Sequence, residues 1–321
     1  MKRRTLLTGL AATTTSWQTP LHAQGYPGKL IRLVVPFPPG GGADAVSRLY
    51  GQRLSEALGV SVMIDNRPGA GGTIGSEIVA KAPPDGYTLL IGPASHVIAP
   101  NFFKVSADPV DGFVPVSQLV NASIALVTPA SRPETTLKEL LAHARADPLL
   151  ATVATSGSGT VFHLSAARLG NASGVNLQHV AYKGGGPAVV DLVAGRVSMM
   201  IDTYFTFQSF LKSGQIRALA TLGDKRSPML PEVPTLTELG YRDMVATNWY
   251  GLFAPHGTPG SVVDTLYEKT RQALAGEDVA QRFRGYGADV VASGPQAFAA
   301  FAKAERDKWA SVVKANNIKA E

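Results

Sequence analysis

Residues 30–44 read LIRLVVPFPPGGGAD, an apolar run that meets a proline-glycine turn and then opens into a charged amphipathic stretch. Leu30 to Phe37 is rich in β-branched residues and is stopped by Pro38-Pro39-Gly40, which predicts a buried strand. Ala43 to Leu58 carries Val46, Leu49, Tyr50 and Leu54 at helical spacing. Further along come a strand-like run from Val60 to Asp65 and a glycine-rich turn from Arg67 to Gly72. A helix from Ile74 to Lys81 and a strand from Tyr87 to Gly92 follow. This β-α-β-α-β order predicts a parallel, doubly wound sheet.

The pattern then repeats. Phe113 to Leu119 and Ile124 to Thr128 read as strands, and Thr136 with Glu139 forms a capping box ahead of Leu137, Leu140 and Leu141. A second α/β series runs through strand Ala151 to Thr155, helix Val161 to Leu169 and strand Leu177 to Ala181. It continues with helix Pro187 to Ala194, strand Val197 to Asp202, helix Phe205 to Lys212 and strand Ile216 to Leu222. Val245 to Ala254 is one more apolar strand. The tail is mostly helical, Ser261 to Leu274 and Pro295 to Asn316, with a short strand from Asp289 to Ala292. Two series in 321 residues predict two lobes, since one core seldom serves a chain this long. The tail has too few strands for a lobe of its own and is expected to return to the first. The expected boundaries are residues 24–124 with 250–321 for lobe 1 and 125–249 for lobe 2, with crossings near Ser123–Leu126 and Thr247–Gly251.

The first 23 residues read as a signal peptide. Lys2, Arg3 and Arg4 precede a weakly apolar stretch, and Leu21-His22-Ala23 offers a small-residue cleavage site. Arg3-Arg4 ahead of Leu6-Leu7 fits a twin-arginine signal, and the general secretory route fits as well. Half of the formal charge of +6 leaves with those three basic residues, so the charge gives no support to nucleic-acid binding. With 45% hydrophobic and 17% charged residues the chain is globular rather than disordered. There is no cysteine, hence no disulfide, no cysteine nucleophile and no cysteine for an N-terminal lipid anchor. An exported protein without an anchor is expected in a periplasm.

Two glycine-rich strand-to-helix turns carry the candidate chemistry. The first holds Phe37, Pro39, Gly40, Gly41, Ala43 and Asp44, and the second is Ser156-Gly157-Ser158-Gly159-Thr160. Glycines let a ligand approach the backbone, and helix N-termini favour anions. Neither turn contributes a cation. Asp44 is placed to tie its own turn, and Asn66 and His163 are candidates to orient the two turns. Ser95 and His96 follow the third strand, and Asp202 ends a later one, all at carboxyl edges where ligands gather. Tyr182 completes the candidate ligand contacts. Trp249 and Tyr250 are open between core packing and cleft lining. His143 reads as solvated and His179 as structural. Catalytic and metal sites are not indicated: no G-x-S-x-G, no H-E-x-x-H and no histidine pair at ligand spacing appears. A rival reading takes Gly40-Gly41-Gly42-Ala43-Asp44-Ala45 as a dinucleotide fingerprint with Asp65 as the ribose acid. That would make an NAD-dependent dehydrogenase.

Ordered motifs over nearly the whole chain resemble one family. They are residues 36–42 with Asp44, Asn66-Arg67-Pro68-Gly69-Ala70-Gly71-Gly72, Ala82-Pro83-Pro84-Asp85-Gly86-Tyr87-Thr88-Leu89-Leu90 and Tyr182-Lys183-Gly184. Later come Lys225-Arg226-Ser227-Pro228, Pro231-Glu232-Val233-Pro234-Thr235 and Gly251-Leu252-Phe253-Ala254-Pro255. The sequence resembles the periplasmic solute-binding receptors of tripartite tricarboxylate transporters, the Bug (Bordetella uptake gene) family. The resemblance implies an α/β, two-lobed Venus flytrap of type II-like architecture, each lobe a sheet flanked by helices. It implies a monomer that needs no cofactor and holds a small organic carboxylate largely by backbone groups and waters. Members take di- or tricarboxylates, amino acids, aromatic acids or vitamins. The implied partners are the large and small integral-membrane subunits of the transporter, or a sensor protein. Ser158 stands where the family often has asparagine, and Ile201-Asp202-Thr203 departs from the frequent Phe-Asp-Asn. The ligand therefore does not transfer from relatives.

Overall fold

The computed structural model describes residues 26–319. The expected signal peptide, residues 1–23, lies outside them. In the first half, β1 (Ile31–Val35), α1 (Gly42–Leu58), β2 (Val62–Asn66), α2 (Thr73–Ala80), β3 (Thr88–Pro93) and the short α3 (Ser95–Ile98) lead to β4 (Phe113–Ala122). The chain then passes into β5 (Ile124–Pro129), α4 (Leu137–Ala146), β6 (Thr152–Thr155), α5 (Val161–Ser173), β7 (Gln178–Ala181) and α6 (Gly185–Val193). Next come β8 (Met199–Thr203), α7 (Tyr204–Lys212) and β9 (Ile216–Thr221). The return comprises β10 (Asn248–Pro255), α8 (Gly260–Leu274), α9 (Glu277–Gly285), β11 (Ala288–Val290) and α10 (Pro295–Ala315).

Two sheets result, ordered β11-β4-β10-β3-β1-β2 and β7-β6-β8-β5-β9. In each, three strands are parallel with the first of the series in the middle: β2-β1-β3 and β7-β6-β8. Each is then continued by an antiparallel strand, β10 beside β3 and β5 beside β8. The sheets are therefore mixed, where the local pattern alone predicts a parallel one. Strand pairing of β10 with residues far away in the chain is what the local period cannot encode. The correspondence of β1 with β6 puts the two glycine-rich turns at equivalent carboxyl ends.

Local chemistry explains most element ends. Gly59, in the left-handed region at φ 71°, closes α1. Thr136 and Glu139 form the reciprocal capping box on α4. Thr160 accepts from the His163 amide to cap α5. The tail differs from expectation in one element: α9, with only Val279 and Phe283 buried, was not predicted from a segment so charged.

The tail docks through a buried acid. Glu305 Oε2 accepts from the indole nitrogens of Trp249 (3.1 Å) and Trp309 (2.9 Å), and Lys308 sits 3.0 Å from Oε1. This ties α10 to the crossing strand β10. Chain crossings fall at Ser123, between β4 and β5, and in the segment between β9 and β10. One core cluster runs through both halves there, from Val97, Trp249 and Phe298 to Leu126, Leu140 and Leu169. Among the described residues no helix is long and apolar enough to cross a membrane.

Candidate functional site

The first turn is braced from below. Asp44 accepts from the Gly40 amide (3.1 Å), from Arg48 (2.9 Å) and from Asn66 (3.1 Å), and Asn66 also donates to the Phe37 carbonyl (2.9 Å). Burial pushes the Asp44 carboxyl up, but these hydrogen bonds outweigh it and hold the group below the usual carboxylate range. Asp44 and Gly40 face a separate depression shared with Arg48, Phe205, Arg282 and Tyr286 rather than the cleft.

The second turn is held by a threonine and a histidine pair. Thr160 Oγ1 donates to the Gly157 carbonyl (2.7 Å), and Gly157 and Gly159 stand at φ 132° and 75°, where a side chain would be strained. His163 Nδ1 accepts from the Gly159 amide (3.3 Å), which leaves its proton on Nε2. Its ring stacks 4.2 Å from that of His179, whose Nε2 meets Thr155 Oγ1 at 2.6 Å. Burial lowers the His163 pKa to about 4. Burial and then the His163 charge take His179 to about 3, so both rings are neutral at pH 7.

Between the lobes lies a partly enclosed cavity. Lobe 1 supplies Phe37, Pro38, Gly41, Gly42, Ala43, Pro93, Ser95, Asn248 and Tyr250, and lobe 2 supplies Ser156, Thr160, Val161, Phe162, Gly185 and Asp202. The centre of a water molecule can range over about 30 Å³ inside it, room for two or three waters at roughly 10–15 Å³ each. The N-termini of α1, α5 and α6 converge on this space, from both sides of the cleft. Their first-turn amides have no acceptors within their own helices, and the dipoles there favour negative charge. Among the described residues, no lysine, arginine or histidine lines the cavity. Two buried polar atoms on its wall lack hydrogen-bond partners, Ser95 Oγ and Asp202 Oδ2.

Asp202 is the one acid there. Its Oδ1 accepts from the Thr203 amide (2.7 Å), Thr206 Oγ1 (2.9 Å) and Thr203 Oγ1 (3.2 Å). Burial still pushes its pKa up to about 6, against those bonds and the nearby Ser156 hydroxyl.

The lobes meet across this space through glycines. A Cβ on Gly42 would stand 2.6 Å from Thr203 Oγ1, and one on Gly71 would stand 2.7 Å from the Ser158 carbonyl. The cleft is therefore shut, and it is shut because these positions carry no side chain.

Of the expected ligand contacts, Phe37, Gly41, Ala43, Ser95, Ser156, Thr160 and Asp202 reach the cavity. Gly157, Ser158 and Tyr182 line a neighbouring depression at the edge of the cleft, with the Tyr182 hydroxyl donating to Asp191 at 2.8 Å. Pro39 and Gly159 lie beside the cavity without lining it. His96 departs from expectation. It sits in α3 with its ring 4.8 Å from Phe113 and 4.7 Å from Phe253, and Nδ1 meets Ser76 Oγ at 3.0 Å. Burial takes it to about 4, so it is a neutral core residue. His143 is not simply solvated either: it pairs with buried Glu134 at 2.8 Å. Asp65 is engaged by Arg32 (2.7 Å) and Arg67 (2.9 Å), and Gly42 faces Thr203, so neither the acid nor the crevice of a dinucleotide site is present. Tyr250 lines the cavity, with its hydroxyl accepting from Asn248 (2.8 Å), while Trp249 is core.

Sequence reasoning missed Asn248, Phe162, Val161, Pro93 and Gly185, and in the first turn Pro38 and Gly42. Gly185 had a signal, since Gly184-Gly185-Gly186 before Pro187 is a third glycine-rich strand-to-helix turn. Asn248 had none, because it reaches the site only through the antiparallel insertion of β10.

The model of the tripartite tricarboxylate transporter family receptor matches residues 46–318. The UPF0065 protein of the tcbD–tcbE intergenic region of Pseudomonas sp. strain P51 is 40% identical, over 97% of this chain and 94% of its own. Among solved structures, the periplasmic binding protein BugD superposes with a TM-score of 0.88 at 34% identity, covering 92% of this chain and all of its own. The R. palustris protein Rpa4515 with adipate gives the same figures, 0.88, 34%, 92% and 100%. MatC of Rhodopseudomonas palustris with bound malate gives 0.83 at 33%, covering 90% and 100%.

Proposed function

This chain belongs to the tripartite tricarboxylate transporter receptor family, and on that premise we propose that it captures a small organic carboxylate in the periplasm and presents it to a membrane transporter. The observation that carries this reading is the cation-free cavity between two lobes on which three helix N-termini converge. A carboxylate there is held by oriented amides, hydroxyls and bridging waters. We assign the binding role to Phe37, Gly41, Ala43 and Ser95 on one lobe and Ser156, Thr160 and Asp202 on the other. Asp44, Asn66 and His163 hold the turns in shape.

The lobes are taken as residues 24–124 with 250–321 and residues 125–249, except that Asn248 and Trp249, on β10, go with the first sheet, and they move about the two crossings. Closure draws its free energy from contacts that the ligand makes with both lobes only when they are shut. A micromolar ligand supplies about 8 kcal/mol in total. The closed shape is what the large and small membrane subunits of a tripartite tricarboxylate transporter would recognise. Residues 1–23 act as the export signal and are removed.

The neighbours bound to adipate and malate support the ligand class. The family is one of receptors and not of enzymes. Isothermal titration against acids, their amides and neutral polyols tests the proposal. Binding of an acid with no binding of its amide supports it, and binding of a neutral solute alone refutes it.

A further inference from the structure

Asp202 is an unexplained acid in a site built for an anion. It is 3% exposed, its Oδ1 is filled by three donors, and Oδ2 has no donor in hydrogen-bond geometry, the Ser156 hydroxyl being the polar group near the carboxylate. Gly185 flanks Oδ2, and a Cβ there would stand 3.0 Å from that oxygen and crowd any donor. No cation of the protein lines the cavity to neutralise the acid. On the facing lobe, Ser95 is also 3% exposed, and its Oγ is without a partner. A buried carboxylate oxygen left unpaired costs free energy that a ligand donor recovers. An acid without such a donor would leave Oδ2 unpaired and set a second negative group beside it.

We propose that Asp202 is a specificity-determining residue: Oδ2 accepts a hydrogen bond from a hydroxyl or ammonium on the carbon skeleton of the captured acid. The ligand class is thereby narrowed to hydroxy or amino carboxylic acids. This rests on the carboxylate reading above. The neighbours' ligands differ in this feature, malate having a hydroxyl and adipate none, so relatives do not decide it.

The test uses isothermal titration with skeleton-matched acids: succinate, malate and aspartate, then propionate, lactate and alanine. The wild-type protein is expected to bind the hydroxyl or amine member of at least one series at least tenfold tighter than its plain acid. Asp202→Asn, which replaces the accepting oxygen by a donor, is expected to bring that ratio below threefold, with the plain acid binding more tightly because the second negative group is gone. A wild-type ratio within threefold in every series that binds overturns the inference and leaves the carboxylate reading standing, with no need for the variant to fold. A ratio that survives in Asp202→Asn overturns the assignment to Asp202. If acids of neither series bind, nor any longer acid with or without a hydroxyl, both readings fall together.

Discussion

Replacing Gly42 by alanine should hold the cleft open while both lobes stay folded. Gly42 is the first residue of α1 and does not occupy the left-handed region, so alanine suits its backbone. Within the lobe, alanine is if anything favoured over glycine in a helix, by about 0.5–1 kcal/mol. Its Cβ, however, would stand 2.6 Å from Thr203 Oγ1 of the other lobe, where ordinary contact begins at 3.4 Å. It would also stand 2.9 Å from the Tyr250 hydroxyl of its own lobe, which is bound to Asn248. Thr203 cannot swing its hydroxyl away without losing its bond to Asp202 at 3.2 Å. The simplest relief is for the lobes to part by about 0.8 Å, which stretches a hydrogen bond of ~2.9 Å to ~3.7 Å, beyond useful length. Losing one or two bonds from a charged ligand to one lobe costs roughly 1.5–3 kcal/mol. That is about a ten- to hundredfold rise in Kd. Titration of the ligand, with small-angle scattering of the saturated protein, should show weaker binding and a larger radius of gyration, with a small fall in unfolding midpoint from the Tyr250 contact within the lobe. Adding Thr203→Ala should recover part of the loss in a double-mutant cycle. An unchanged Kd in Gly42→Ala would refute the claim that this contact forms the closing surface.

Other perturbations act on the scaffold. Below pH 6.5 the unfolded chain takes up protons that buried His96 resists down to about pH 4, so its contribution to stability is present above 6.5 and is lost as pH falls. At pH 5 that loss is about 2 kcal/mol, and His96→Gln should lessen the pH 7-to-5 fall in denaturant-measured stability by that amount. Asp202 has the opposite sign: raised to about 6, it favours the native state when protonated, so Asp202→Asn should steepen the same fall by about 1 kcal/mol. Glu305→Ala would strand two buried indole donors, and urea unfolding should show a loss of roughly 2–4 kcal/mol. Thr136→Ala removes the capping box on α4 and should cost about 1 kcal/mol with ligand affinity unmoved.

The fold was legible because its elements advertise themselves locally. Runs such as Ile124–Pro129 and Met199–Thr203 are buried throughout, and the helices between them keep one apolar face. Glycine-rich turns at the carboxyl ends marked the cleft for the same reason, since backbone position follows from element order. Side-chain direction does not. Ser95 and His96 are adjacent at one strand end, yet Ser95 faces the cavity and His96 is enclosed by Phe113 and Phe253, which lie elsewhere in the chain. Asn248 was hidden, and Tyr250 stayed open between core and cleft, because their strand is inserted antiparallel between β3 and β4. The helix α9 was hidden because two buried residues in nine make too faint a period.

The central claim is that amides and hydroxyls from both lobes, with no cationic side chain, hold a negative group between them. A crystal structure of the protein with its acid bound is the direct measurement. The account predicts a carboxylate within hydrogen-bond distance, directly or through one water, of the first-turn amides of α1 and of α5 or α6. A carboxylate seated on a lysine or arginine, or bound outside the space between Phe37 and Thr160, would contradict it.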